Sequence, residues 1–233
     1  MNVKYPLKSS CSSVRPSNLG WLEYRLSNTE MNHLWKCIEN KKQDYKDKLA
    51  GNISNSYALI DEEGWFTRNT LLSVIEMYSK EFHNLASDIP TSQVHPLFLD
   101  SFWVNYQKQT EFNPLHDHGG IYSFVIWMKI PTEYSEQKNL PIARSSSGSI
   151  SNFSFEFVNI LGGSEHYSYE MGSDCEGVML FFPAKLRHQV YPFYNCDETR
   201  ISISGNISLK TDEPFSEPPT EGFKAKQSKG FGK

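Results

Sequence analysis

Pro114-Leu115-His116-Asp117-His118-Gly119-Gly120 is the stretch on which the reading of this chain turns. Two imidazoles at i and i+2 point to the same side of an extended strand. A third, His188, follows seventy positions after His118, on a run that begins Phe182-Pro183. Strands so far apart in sequence meet only on a folded β scaffold, and three imidazoles converging there complete one face of an octahedron around a single metal ion. That geometry leaves coordination positions open.

Outward from this stretch the chain is patterned for sheet. From about Pro96 onward, short runs rich in Phe, Val, Ile, Tyr and Trp are bounded by Gly, Pro, Asn and Asp, at spacings that suit an antiparallel sandwich or barrel. Strands are expected over 97–107, 121–130, 152–160, 177–182, 186–193 and 199–208. Upstream, Ser27-Asn28-Thr29-Glu30 has capping-box spacing, and Met31, Leu34 and Trp35 follow at helical steps, predicting a helix over 28–48 that Gly51 would end. Leu71, Leu72, Ile75, Tyr78 and Phe82 predict a second helix over 68–85. The expected class is mainly β with flanking helices, as one domain over 1–209 with helical support at about 20–92 and a β core at about 95–208. Residues 210–233 are rich in Pro, Gly and charge without periodicity and read as a disordered tail. The polar run from Arg144 to Ser151 reads either as a flexible loop bordering a pocket or as an inert surface loop.

Composition narrows the function classes. A formal charge of −4 leaves no basic excess, so there is no electrostatic case for duplex nucleic acid. Aromatics at 14%, with 14 glycines and 12 prolines, suit short strands, tight turns and a lined pocket. Cys11, Cys37, Cys175 and Cys196 stand singly with no C-x-x-C spacing, which argues against a thiolate zinc site or a disulfide scaffold and for a reducing cytoplasm. The first twenty residues lack the apolar core of a signal peptide, and no apolar run approaches the ~18 residues of a membrane helix.

Of the seven histidines, His33, His83, His95 and His166 lack ligand spacing and read as structural or surface residues. His116, His118 and His188 are the candidate metal ligands, against the reading of an incidental pair on a polar rim. Imidazole suits iron, copper, nickel and zinc alike, so the ligands alone do not choose the metal. In Arg200-Ile201-Ser202-Ile203-Ser204 the period of two places the guanidinium and the hydroxyls on one face, where they can hold a carboxylate. A hairpin through 195–199 would set Arg200 about 3 to 5 residues along the sheet from the position opposite His188, roughly 10 to 16 Å and within the span of a five-carbon dicarboxylate. The competing reading is a surface ion pair of Arg200 with Asp197 or Glu198. Trp103 and Trp127 read as core or pocket wall.

The order His-x-His beside a Gly pair, Phe181-Phe182-Pro183 with His188-x-Val190, and then Arg200-x-Ser202 resembles the Fe(II)/2-oxoglutarate-dependent dioxygenases, over roughly residues 95–208. Within them it is similar to uncharacterised prolyl-hydroxylase-like members of marine bacteria and phages. The resemblance implies a double-stranded β-helix (a cupin-like jelly roll), iron on His116 and His188, the far carboxylate of 2-oxoglutarate on Arg200 with help from Ser202, and O2 as co-reactant. It also implies hydroxylation of an unidentified substrate, in the cytoplasm of the cell or, for a phage protein, of its host. Asn105 and Tyr106 stand where the family often contacts the metal-binding end of the cosubstrate, though Tyr106 also reads as core. The family usually has His-x-Asp or His-x-Glu, whereas this chain has His118. Either His118 replaces the carboxylate, or a bulge at Gly119-Gly120 lets Asp117 bind, although on a regular strand Asp117 points away. Three histidines also describe a catalytic zinc site or another three-histidine dioxygenase, and a jelly roll also serves as a non-enzymatic binding module.

Overall fold

The computed structural model describes residues 18–211, so Cys11 and all but the first two residues of the expected tail lie outside the described residues. In chain order the elements are β1 (Leu22–Arg25), α1 (Asn28–Glu39), β2 (Asn55–Ala58), a π-helical turn (Thr67–Leu71) running into α2 (Leu72–Glu81), β3 (Leu97–Gln107), β4 (Asn113–His116), β5 (Tyr122–Lys129), a one-turn α3 (Tyr134–Gln137), β6 (Phe153–Val158), β7 (Ser164–Tyr169), β8 (Val178–Pro183), β9 (Arg187–Val190) and β10 (Arg200–Leu209). Two antiparallel sheets result, one ordered β1-β8-β5-β10-β3-β2 and the other β4-β9-β6-β7. From β3 to β10 the chain passes back and forth between them, β3, β5, β8 and β10 in the large sheet and β4, β6 with β7, and β9 in the small one. This winding is the double-stranded β-helix.

The large sheet is covered on both faces, and β5 and β8 are therefore almost continuously apolar, whereas β10 alternates isoleucines toward the helices with polar residues toward the second sheet. Along β5, Tyr122, Phe124, Ile126 and Met128 pack with Leu34, Phe66, Val74 and Tyr78 of the helical layer, while Val125 and Trp127 face the small sheet and meet Phe153 and Phe155. The helices thus cover the back of the large sheet and leave its front to face the second sheet. No helix among the described residues is long and apolar enough to cross a membrane.

Three expectations are corrected. The first helix ends at Glu39, not 48: the Asn40 N–H bonds the carbonyls of Lys36 and Ile38. The following residues are nearly all polar and give a helix no face to bury. They run extended beside β2 instead, with Lys42 N–H on Ala58 O at 2.8 Å and Tyr45 N–H on Ser56 O at 2.8 Å. The second helix stops at Glu81, and Leu85 opens a separate 3-10 turn whose Ala86 N–H is capped by the Asn84 side chain. Finally, β9 and β10 form no hairpin. They belong to different sheets, and the Tyr191–Thr199 link crosses between them, tied at its start by Tyr191 N–H to Asn152 O and by Ser151 N–H to Pro192 O. Arg200 therefore looks across the gap between sheets rather than along one of them.

Candidate metal centre

His116 closes β4 and pairs in register with His188 on β9. His118 sits on the turn into β5, its N–H held by Ala184 O at 2.9 Å. Gly120 makes that turn at φ 91°; a Cβ there would lie 2.7 Å from the Ile207 carbonyl oxygen, so glycine is what lets the chain approach β10 this closely. The three rings converge, with centroids 4.3 Å (His116–His188), 4.9 Å (His118–His188) and 5.0 Å (His116–His118) apart.

Their hydrogen bonds fix which nitrogens are free. His116 Nδ1 donates to Pro114 O at 2.7 Å and His188 Nδ1 donates to Leu186 O at 3.0 Å, so each Nε2 carries an unshared pair turned toward the cluster. The Nε2 atoms of His118 and His188 are 3.1 Å apart. Two nitrogens bound at about 2.1 Å to one ion and about 90° apart are separated by about 3.0 Å, so the pair fits adjacent positions on an octahedral centre. Burial, reinforced by the neighbouring imidazoles, pushes His118 down to about 4 and His188 well below the ordinary histidine value; burial also lowers His116. All three are therefore neutral near pH 7, the form in which imidazole binds a metal. Asp117 is exposed, and its carboxylate is bound to Lys185 Nζ at 3.0 Å, a hydrogen bond that lowers its pKa. The structure brings His118 to the cluster, not Asp117.

Arg200 is 1% exposed, a buried cation with no carboxylate among its partners. One terminal nitrogen donates to Ser151 Oγ at 2.6 Å and Ser151 O at 3.3 Å, the other to Gln107 Oε1 at 3.4 Å and Tyr191 O at 3.5 Å. Its Nε has no partner, its Cζ lies 4.9 Å from the centre of the Phe193 ring, and burial lowers the guanidinium to about 10. A buried guanidinium with Nε unpartnered and no counter-ion among its partners has the chemistry to pair with a carboxylate. The alternative ion pairs are taken elsewhere: Glu198 binds Lys129 at 2.6 Å, and Asp197 accepts from Gln109 at 2.9 Å.

Arg200 and the histidines line one cavity of about 280 Å³ between the sheets, together with Asn105, Ser202, Trp103 and Trp127. Asn105 is buried and accepts from Ser56 Oγ at 2.8 Å. Tyr106 does not reach the cavity. The period of two on β3 turns it to the helical side, where it meets Tyr57 edge-on at 5.9 Å, so the core reading is correct for that residue. Gln107 and Ser151 hold Arg200, and sequence reasoning named neither in that role. Gln107 was open to inference as the next position on the Asn105 face; Ser151 ends the polar loop 49 residues away and carries no local signal. The remaining histidines stay outside the site, His33 beside Asp61, His83 beside Asp88, His166 beside Glu156, and His95 with a buried, unpartnered Nδ1.

A family model described as "Putative 2OG-Fe(II) oxygenase" matches residues 101–206, a stretch that holds the three histidines, Arg200 and the cavity faces of both sheets. Over that stretch, a little under half of the chain, it is similar to the 2OG-Fe(II) oxygenases. Among solved structures it is similar to a Pseudomonas putida prolyl-4-hydroxylase (12% identity, 82% of this chain and 92% of that one, TM-score 0.45). It is also similar to the viral collagen prolyl hydroxylase of Paramecium Bursaria Chlorella virus-1 (15%, 80% and 94%, TM-score 0.42) and to the carbocyclase SnoK of nogalamycin biosynthesis (9%, 82% and 79%, TM-score 0.49). No curated protein matches the chain in sequence.

Proposed function

We propose that this chain is a non-haem Fe(II)/2-oxoglutarate-dependent dioxygenase in which His116, His118 and His188 hold the iron and Arg200 receives the far carboxylate of the cosubstrate. The observation that carries this reading is a fully buried guanidinium without a counter-ion opening into the same cavity as three neutral, convergent imidazoles. When bound together, iron and 2-oxoglutarate supply an O2-dependent oxidation of a C–H bond, coupled to decarboxylation of the cosubstrate to succinate.

The chain's own residues bind, orient and exclude water. Carbonyl acceptors on both strands lock the His116 and His188 rings with Nε2 inward. Ser151 and Gln107 fix the plane of the guanidinium, leaving Nε–H unpartnered and the 3.4 Å bond to Gln107 long enough to yield to a carboxylate. Ser202 and Asn105 pair in register one step of the same face along from Arg200, where they flank a dicarboxylate reaching toward the histidines. Trp127 and Phe153, both almost fully buried, keep water from that path. The free thiols Cys37, Cys175 and Cys196 fit the reducing cytoplasm that ferrous iron requires.

His118 in place of the family's usual carboxylate gives the centre no ligand charge, which also suits zinc hydrolysis. Arg200 weighs against that reading, because a zinc-bound water needs no clamp for a second carboxylate. Succinate formation decides between them. The iron-loaded protein should convert 2-oxoglutarate to succinate, and His188→Ala should form none; turnover undiminished in that variant would remove His188 from the centre.

A further inference from the structure

The histidines stand at the end of the cavity away from Arg200. His118 lies 5.8 Å from the Trp103 ring and His188 lies 4.9 Å from Phe182, and these residues belong to the two rows of the large sheet that contain Ser204 and Asn206. In the second of these rows the cavity floor is polar. Ser123 of β5, Asn206 of β10 and Ser101 of β3 are mutual register partners; Ser123 Oγ donates to Asn206 Oδ1 at 2.8 Å, and Asn206 Nδ2 donates to Ser101 Oγ at 3.2 Å. Ser204, one step nearer Arg200 on the same face, also lines the cavity, and its hydroxyl has no side-chain partner among the described residues. Inward positions on the central strands of a sandwich are ordinarily apolar, as Val125 and Leu180 are here. Ser123 is buried and Ser101 and Asn206 are half-buried at the cavity, and their mutual hydrogen bonds use only part of what the three side chains can donate and accept.

Their unused capacity defines what they would bind. Whichever way the Asn206 amide is turned, one of its two N–H groups is left over, and the Ser204 hydroxyl can accept or donate. A leftover donor and a rotatable hydroxyl two residues apart complement an amide, whose carbonyl accepts and whose N–H donates. Asp100 accepts from Ser101 Oγ at 3.2 Å and sets a carboxylate behind the row, which opposes an anion there. Trp103 and Val125 flank Ser204 and offer an apolar wall for the hydrocarbon part beside the histidines.

We propose that Ser101, Asn206 and Ser204 form the primary-substrate subsite and that the substrate is an uncharged, amide-bearing molecule. This rests on the oxygenase reading, in which Arg200 is taken by the cosubstrate. The test is saturation-transfer NMR on the full chain loaded with Zn(II) in place of Fe(II) and with 2-oxoglutarate. The probes are N-acetyl amino-acid amides, the matching N-acetyl free acids, and the matching cationic amino-acid amides. Neutral amides should show transfer and the acids and cations less. Asn206→Leu and the isosteric Asn206→Asp, which replaces the donors by acceptors, should each weaken neutral-amide binding by about three- to tenfold. Charged probes binding as well as neutral ones, no transfer to any neutral amide, or unchanged binding in Asn206→Asp would overturn the subsite. The 2-oxoglutarate signal in the same spectra separates the two claims: its absence contradicts the oxygenase reading, and its presence beside indifferent amide binding contradicts the subsite alone.

Discussion

Arg200 holds its charge among uncharged acceptors, Ser151, Gln107 and Tyr191, with Nε unpartnered, and so spends folding energy that a bound dicarboxylate would recover. Lysine keeps the charge but loses the planar fork. Arg200→Lys should therefore weaken 2-oxoglutarate binding at least about tenfold by calorimetry; an unchanged affinity would place the cosubstrate elsewhere. The histidines make a second prediction. Their folded pKa values lie below the ordinary 6.5, His118 at about 4, so below pH 6.5 the unfolded chain binds more protons than the folded one. The contribution these histidines make to the stability of the metal-free protein is fully present above about pH 6.5 and falls as the pH drops toward 4. Thermal melts of the chelated protein across that window should show the fall, and His118→Gln should lessen it. At this scale the sequence was readable where a period of two operates. Arg200 and Ser202 announce a shared face, and Tyr106 belongs by the same rule to the opposite face from Asn105; His118 lies past the end of β4, on the turn, and joins His116 without a strand to carry the period, and Ser151 reaches Arg200 only through the crossing of the chain between sheets.

At the scale of elements, legibility followed length and burial. β5 and β8 were visible because strands covered on both faces are apolar runs, and β10 by its Ile–Ser alternation; β4, with four residues including Pro114, and β7, Ser-Glu-His-Tyr-Ser-Tyr and almost wholly exposed, give no such signal. The start of α1 was legible from its capping box, in which Ser27 Oγ accepts from Glu30 N–H while the Glu30 carboxylate accepts from Ser27 N–H. Ser27→Ala should cost about 1 kcal/mol in urea unfolding. Gly205 lies mid-strand in β10, where a Cβ would come within 2.9 Å of the Ser101 carbonyl oxygen and closer still to the Phe124 ring. Gly205→Ala should destabilise the protein by about 1–3 kcal/mol by the same measurement; a neutral result would mean that β3 and Phe124 shift freely.

For the whole molecule, the site exists because the winding brings two sheets face to face, the histidines from the β4–β9 side and Arg200 from β10. This was the least legible level. Local pattern gives strands but not partners, and a hairpin between neighbours in sequence was a natural expectation that the crossing at 191–199 defeats. A metal on the three histidines would tie the turn after β4 to β9, so metal loading should slow amide exchange at 113–118 and 187–190, and 2-oxoglutarate should extend that protection to the start of β10. The central claim, that iron and 2-oxoglutarate meet in this cavity, is tested most directly by anaerobic titration of the Fe(II)-loaded protein with 2-oxoglutarate, followed in the visible. The account predicts the absorption band of a keto acid chelated to Fe(II), saturating near one equivalent. Iron demonstrably bound and no band at any concentration would contradict it.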